Sequence, residues 1–198
     1  MAKAKTISGL DCQAPTGQVA RLIAHVRLEE MYDWVQYVDN PYYSKELHSL
    51  RIAAKRLRYT LEVFEETLPK QSKSIVQDLT QLQDELGLLH DSDVLIALLR
   101  LCLGSQESGS AYQKALVRVK KQKKKKGLIL PPALVASVLE PAGSLSAQER
   151  YGLEQLLLAE QHTREEHYRA FREHWYRMHE RDFRQEVVHM LDFRSELN

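Results

Sequence analysis

Leu47, Leu50, Ala54, Leu57, Leu61, Phe64 and Leu68 recur at alternating steps of three and four, the spacing that lines side chains along one face of an α-helix. They predict a core-facing helix with Ser44 as N-cap, Glu46 in the first turn where a carboxylate complements the helix dipole, and an end near Leu68-Pro69. One position later, His48, Arg51, Lys55 and Arg58 keep the same rhythm, with Tyr59 beside them. The helix therefore carries a second stripe, about 100° round its axis, and that stripe is cationic. Only Glu62, at its far end, opposes it. An ordinary exposed helix mixes Glu with Lys at these spacings, because opposite charges one turn apart help it and like charges cost a few tenths of a kcal/mol. The stripe thus predicts a negative partner from outside the helix.

The same periodicity orders the rest of the chain. Residues 1–14 are polar and unpatterned and read as a mobile tail. A first helix is predicted from near Thr16 to Val38, with Val19, Leu22, Ile23, Val26 and Trp34 inward and Arg21, His25 and Arg27 polar; Asp39-Asn40-Pro41 breaks it. A third helix, Ser74 to Leu103, carries the core stripe Ile75, Leu79, Leu82, Leu86 and Leu89. Joined to its predecessor by a short connection, it should pack antiparallel to it. Gly87 costs this helix about 1 kcal/mol relative to Ala, which is tolerable where another backbone or a ligand comes close. Gln83 and His90 lie on one face at the edge of its stripe, and Asp91 and Asp93 follow.

Gly104–Ser110 is a loop by composition; Ser110 then caps a short helix through Tyr112, Ala115, Leu116 and Val119 that ends in the cationic run Arg118–Gly127. Leu128–Gly143, with three prolines, reads as a packed connector with a short helix at Ala133–Leu139. Ser146-Ala147-Gln148-Glu149 is a capping box announcing a long helix. Leu153, Leu156, Leu157, Tyr168, Phe171, Trp175 and Met178 point inward along it, and Phe183, Val187 and Leu191 continue after a kink near Asp182. Arg164, Arg169, Arg172, Arg177, Arg181 and Arg184 add cations. No run alternates as a strand does, so the fold class is all-α, an antiparallel helical bundle of about five to six helices forming one domain over residues 15–198.

Composition narrows the chemistry. With 28 Lys and Arg against 27 Asp and Glu in 198 residues, the net charge is +1, so any anion site must come from uneven placement. Cys12 and Cys102 are far apart and have no CxxC partner, which suggests neither a zinc site nor a disulfide framework. There is no apolar stretch after the basic start, nor any segment near the ~20 apolar residues that span a bilayer, so no secretion and no membrane anchor are expected, and the location expected is cytoplasmic. The 8 histidines include one Glu-x-x-His pair, Glu186 to His189, where a di-metal bundle needs two. HExxH, GxSxG, P-loop and GxGxxG signatures are absent. The expectation is no enzyme, no cofactor and no metal.

LHSLRIAAKRLRYTLEVF, followed by LTQLQDELGLLHDSDVLIALL, resembles the two motifs of the CHAD domain, in the family's order and over Leu47 to about Leu99. HYRAFREHWYRM, His167 to Met178, is similar more loosely to the family's closing helix. The resemblance implies a helical fold with a basic central groove or pore that binds inorganic polyphosphate. It carries His48, Arg51, Lys55, Arg56, Arg58 and Tyr59 over from the first motif, and Gln83, Gly87, His90 and Asp91 from the second. The family is usually built from two related bundles, whereas this chain has one copy of the KRLRY-type motif, with Arg21–Arg27 as a reduced first half; one chain or a homodimer would close the pore.

The function expected is therefore non-catalytic polyphosphate binding through His48, Arg51, Lys55, Arg56, Arg58, Tyr59 and His90, with Lys120, Lys121, Lys124 and Arg172 adding contacts. The rivals are a metal-dependent phosphohydrolase using His90, Asp91 and Asp93, nucleic-acid binding by the 118–126 run, and a purely structural interaction module that binds no polyanion at physiological salt; no aromatic residue interleaves that run, so nucleic acid is not the primary ligand expected. Polyphosphate as partner makes granules of that polymer the expected site within the cytoplasm.

Overall fold

The computed structural model describes residues 3–11, 13–104 and 146–192. Among them are five α-helices, α1 (Thr16–Tyr32), α2 (Ser44–Val63), α3 (Ser72–Gly104), α4 (Ala147–Glu180) and α5 (Phe183–Asp192), and two 3-10 turns, Val35–Tyr37 and Glu65–Thr67. No strand occurs among the described residues. The fold is all-α, and no described helix is long and apolar enough to cross a membrane.

The chain forms two compact units, Met1–Asp91 with Arg164–Asn198, and Ser92–Thr163. In the first, side-chain pairings fix the direction of each neighbour. Glu30 pairs with Arg56 while Gly17 lies beside Thr67, so α1 and α2 run antiparallel. His48 meets His90 and Arg58 meets Gln83, so α2 and α3 do too. Glu85 with His174 and Asp78 with Arg181 set α3 against α4, and Glu29 with Arg184 and His25 with Asp192 bring the returning chain back along α1. The core between them holds Leu28, Leu50, Leu57, Leu61, Ile75, Leu79, Leu82, Leu86, Phe171 and Phe183, all at 2% exposure or less. Burial of this face, at about 25 cal/mol per Å² of apolar surface, is what holds the helices together.

The apolar stripe of α2 is buried from Leu47 to Leu61. Beyond it the helix ends at Val63, and Phe64 caps it in a non-helical conformation. Ser44 is the first helical residue rather than the N-cap; Tyr43 holds that place and makes no side-chain capping bond. The predicted stripe of α1 is displaced. Ala20, Ala24, Leu28 and Met31 are buried, whereas Val19, Leu22, Ile23 and Val26 are only half-buried, and the helix stops at Tyr32, with Trp34 beyond it partly buried against the core. Small side chains share that core, Ala24 on α1 and Ala53 and Ala54 on α2, so the face of closest approach is marked by alanine rather than by the larger residues.

Asp182 breaks the last helix at φ +55°. Its carbonyl accepts from the Glu186 amide (3.0 Å) and its carboxylate from the Gln185 amide (3.4 Å), which starts α5 in a new direction. In the second unit, Ser92, Ile96 and Leu99 are buried on α3. The capping box forms at the start of α4: the Ser146 amide donates to Glu149 (2.8 Å), and the Glu149 amide donates back to Ser146 Oγ (3.3 Å). Leu156, predicted inward, is 47% exposed; the buried residues of α4 are Phe171, His174, Trp175 and Met178. Residues 3–11 form no helix, yet Lys5 is tied to α1 through Asp33 (2.5 Å) and through its carbonyl, which accepts from Arg27 (3.2 Å). The predicted loop, short helices, lysine run and connector over 105–143 lie outside the described residues.

Candidate functional site

The second stripe of α2 lies against α3, and each position of the α3 motif on that edge meets one position of the stripe. His48 stacks its imidazole on that of His90, ring centroids 4.1 Å apart and 28° from parallel. One turn on, the Arg51 guanidinium lies across Gly87: a Cβ there would stand 3.5 Å from Arg51 Nε and 3.6 Å from Nη2. Arg58 Nε donates to Gln83 Oε1 at 3.1 Å. The spacing of the two motifs is therefore a register between two antiparallel helices. Asp91 stands exposed beside that edge.

The charges along the stripe are compensated unequally. Arg51 is half-buried, its Nε is buried without a hydrogen-bond partner, and no carboxylate pairs with it among the described residues. Lys55 is exposed and has no carboxylate partner among them either; its Nζ lies 5.3 Å from the ring centroid of Tyr59. Arg58 bonds Glu62 at 2.7 Å and packs its guanidinium 4.7 Å from the same ring. His48 is half-buried with an unpartnered Nδ1, and burial, then His90 and Arg51, push its pKa below the ordinary histidine value. A half-buried guanidinium without a counterion is costly in isolation, and its N–H groups are the right donors for an anion's oxygens.

Two residues expected at the site have other work. Arg56 faces α1, where it bonds Glu30 Oε1 while Arg27 holds the other oxygen at 2.7 Å; Glu30 is 3% exposed. Arg172 bonds Asp39 at 2.9 Å, and Tyr176 donates to the same carboxylate at 2.7 Å, together holding the Asp39 carboxyl below its ordinary pKa, the Tyr176 bond most strongly. With Tyr168 donating to the Val38 carbonyl (2.8 Å) and Arg164 to that of Pro41 (2.6 Å), this face of α4 clamps the connector leading into α2. Arg164 also reaches Ser44 Oγ (3.4 Å), four positions before His48, which puts a further cation at the start of the stripe. Lys120, Lys121 and Lys124 lie outside the described residues. Sequence reasoning missed Glu30 and the buried His174–Glu85 pair (2.8 Å); the only signal for Glu30 was Arg27 three positions before it.

No group of three His, Cys, Asp or Glu gathers as metal ligands do among the described residues. A depression on α4, lined by Arg169, Arg172, Glu173, Tyr176, Arg177 and Glu180, is built on one helix, and its two glutamates offset its arginines.

Gly87 yields a test of the register. Because an added Cβ would meet Arg51 at ordinary van der Waals distance, Gly87→Ala is expected to leave Arg51 in place and to raise stability by about 0.5–1 kcal/mol from helix propensity, read by thermal unfolding. Gly87→Leu is expected to displace the guanidinium and to lose that gain.

Residues 14–100 match the sequence model of the family described as CHAD domain. The match includes α1, α2 and most of α3, and with them both sides of the stripe. No curated protein and no solved structure matches the chain.

Proposed function

With residues 14–100 a CHAD domain, we propose that this chain binds inorganic polyphosphate along the α2 stripe and does not turn it over. The observation that carries the reading is Arg51, a half-buried guanidinium laid on a bare glycine, with an unpartnered Nε and no carboxylate among the described residues to neutralise it. His48, Lys55 and Arg58 continue that line at successive turns, so a linear polyanion with a charge on every unit meets a cation or a chargeable imidazole at each turn. Backbone charge is what such a surface reads, and no base-reading groups are needed. In a cell the protein would sit with cytoplasmic polyphosphate granules.

The test is titration of long-chain polyphosphate into the protein across a salt series. Each neutralised phosphate releases condensed counterions, as for nucleic acids, so three to four contacts predict a slope of log K against log salt of roughly −2 to −4. Absence of binding at low salt would sink the reading. Equal competition by RNA would assign the surface to polyanions in general, and phosphate released on adding a divalent ion would make the chain a phosphohydrolase. Solution mass with and without polymer reports whether a homodimer holds the chain.

A further inference from the structure

Fixed charges suffice to hold a polyanion, yet the stripe also carries two histidines, one from each helix, stacked ring on ring at 4.1 Å. Neutral imidazoles stack as other aromatic rings do, whereas two imidazolium rings at that separation repel. A charged imidazole donates from both nitrogens. His48 Nδ1 is buried with no partner, as is Arg51 Nε one turn away, so charging His48 in the free chain leaves a second unmet donor beside a fixed guanidinium. Burial, His90 and Arg51 accordingly depress its pKa. The groups around the pair are mostly cationic. On α2, Lys45, Arg51 and Lys55 share its register; α4 brings Arg164, bonded to Ser44 one turn earlier; α3 brings His90 itself, with Asp91 exposed next to it and Asp93 following in sequence.

We propose that phosphate-chain binding here is proton-coupled, the stacked His48–His90 pair taking up a proton as the polyanion settles beside Arg51. The inference rests on the polyphosphate reading and deepens it. A phosphate lying beside the pair supplies the countercharge that the free site lacks. The proton comes from solvent, resides on an imidazole nitrogen of the pair and leaves with the polymer; no covalent bond changes. Since the bound state holds more protons than the free state, affinity rises as pH falls through the histidine range, about 6.5, where the internal phosphates stay ionised. In the free chain the same depression lowers stability as pH falls through that range, because the unfolded chain binds the proton more readily; bound polymer reverses that loss.

Calorimetric titration of long-chain polyphosphate into the full chain, in two buffers of different ionisation heat from about pH 6 to pH 8, tests this. Expected are a buffer-dependent heat equivalent to about half to one proton taken up per chain, and binding that tightens up to about tenfold per pH unit lowered. His90→Gln is expected to reduce the uptake, and His48→Gln/His90→Gln to abolish it and flatten the pH profile. Lys55→Gln is expected to weaken binding while keeping the uptake, so that loss of uptake in the histidine variants is not a consequence of weaker binding alone. Tight binding with no buffer-dependent heat, or unchanged uptake in His90→Gln, overturns the proposal and leaves polyphosphate binding standing. Absence of binding at every pH overturns both. Histidine resonances of the free chain give a readout without ligand: a His48 midpoint below the ordinary histidine value is expected, and an ordinary His48 midpoint overturns the proposal.

Discussion

Arg51→Ala/Lys55→Ala/Arg58→Ala is expected to weaken polyphosphate binding by a factor on the order of 10²–10³ at about 0.1 M salt, and to flatten the salt slope by about 2–3, with helical circular dichroism retained. The three losses are not equal. Arg58 already spends its charge on Glu62, and its Nε on Gln83, so Arg58→Ala alone removes little net attraction and leaves a nearly buried amide oxygen without its donor. Arg51 is uncompensated and half-buried, so Arg51→Ala is expected to carry the largest single share. Arg51→Lys is expected to recover only part of it, because a point charge does not reproduce the planar donor fork that lies along Gly87. Equilibrium titration of the single and triple variants orders these effects. Binding unchanged in the triple variant would move the site off α2.

What was legible in the sequence is what periodicity carries. The α2 stripe from Leu47 to Leu61 and the α3 stripe from Ile75 to Leu89 are buried as spaced, and the capping box at Ser146 closes as its residue types require. The cationic stripe followed from the same arithmetic. Its partners on α3 did not, since no periodicity says which residue of one helix meets which of another; the spacing put Gln83 and His90 on one face and marked Gly87 for a close approach, and the structure supplies what each one meets. The buried face of α1 was misread because Val19, Leu22, Ile23 and Val26 offer a second apolar stripe beside Ala20, Ala24, Leu28 and Met31, and only packing decides between them: the small alanines permit the closer approach. Arg56 and Arg172 looked like more of the same cationic surface. Each instead meets a carboxylate distant in sequence, Glu30 and Asp39, and a charge pair of that kind leaves no local trace.

Glu30→Ala is expected to be among the most destabilising substitutions in the chain, by about 3–5 kcal/mol, without touching the stripe. Glu30 is 3% exposed, and its two oxygens are divided between Arg27 and Arg56, whose side chains are themselves 14% and 27% exposed. Truncating it leaves two partly buried guanidinium groups facing each other between α1 and α2 with no countercharge. That loss is a large share of the ~5–15 kcal/mol that holds a domain together, so a drop of roughly 10 °C or more in midpoint is expected in thermal unfolding. Glu30→Gln keeps the shape and one acceptor and should cost less. Replacing Glu30 and Arg56 together by Met should recover part of the loss, because a buried ion pair exchanged for apolar groups of similar size is often neutral while a broken pair is not. The same logic separates Arg56 from the stripe. At a temperature where the variant stays folded, Arg56→Ala should bind polyphosphate nearly as wild type does and melt earlier, whereas Arg51→Ala should melt nearly as wild type does and bind poorly. Were Arg56→Ala to lose binding while its melting is unchanged, the Glu30 pairing would be incidental, and Arg56 would join the anion site.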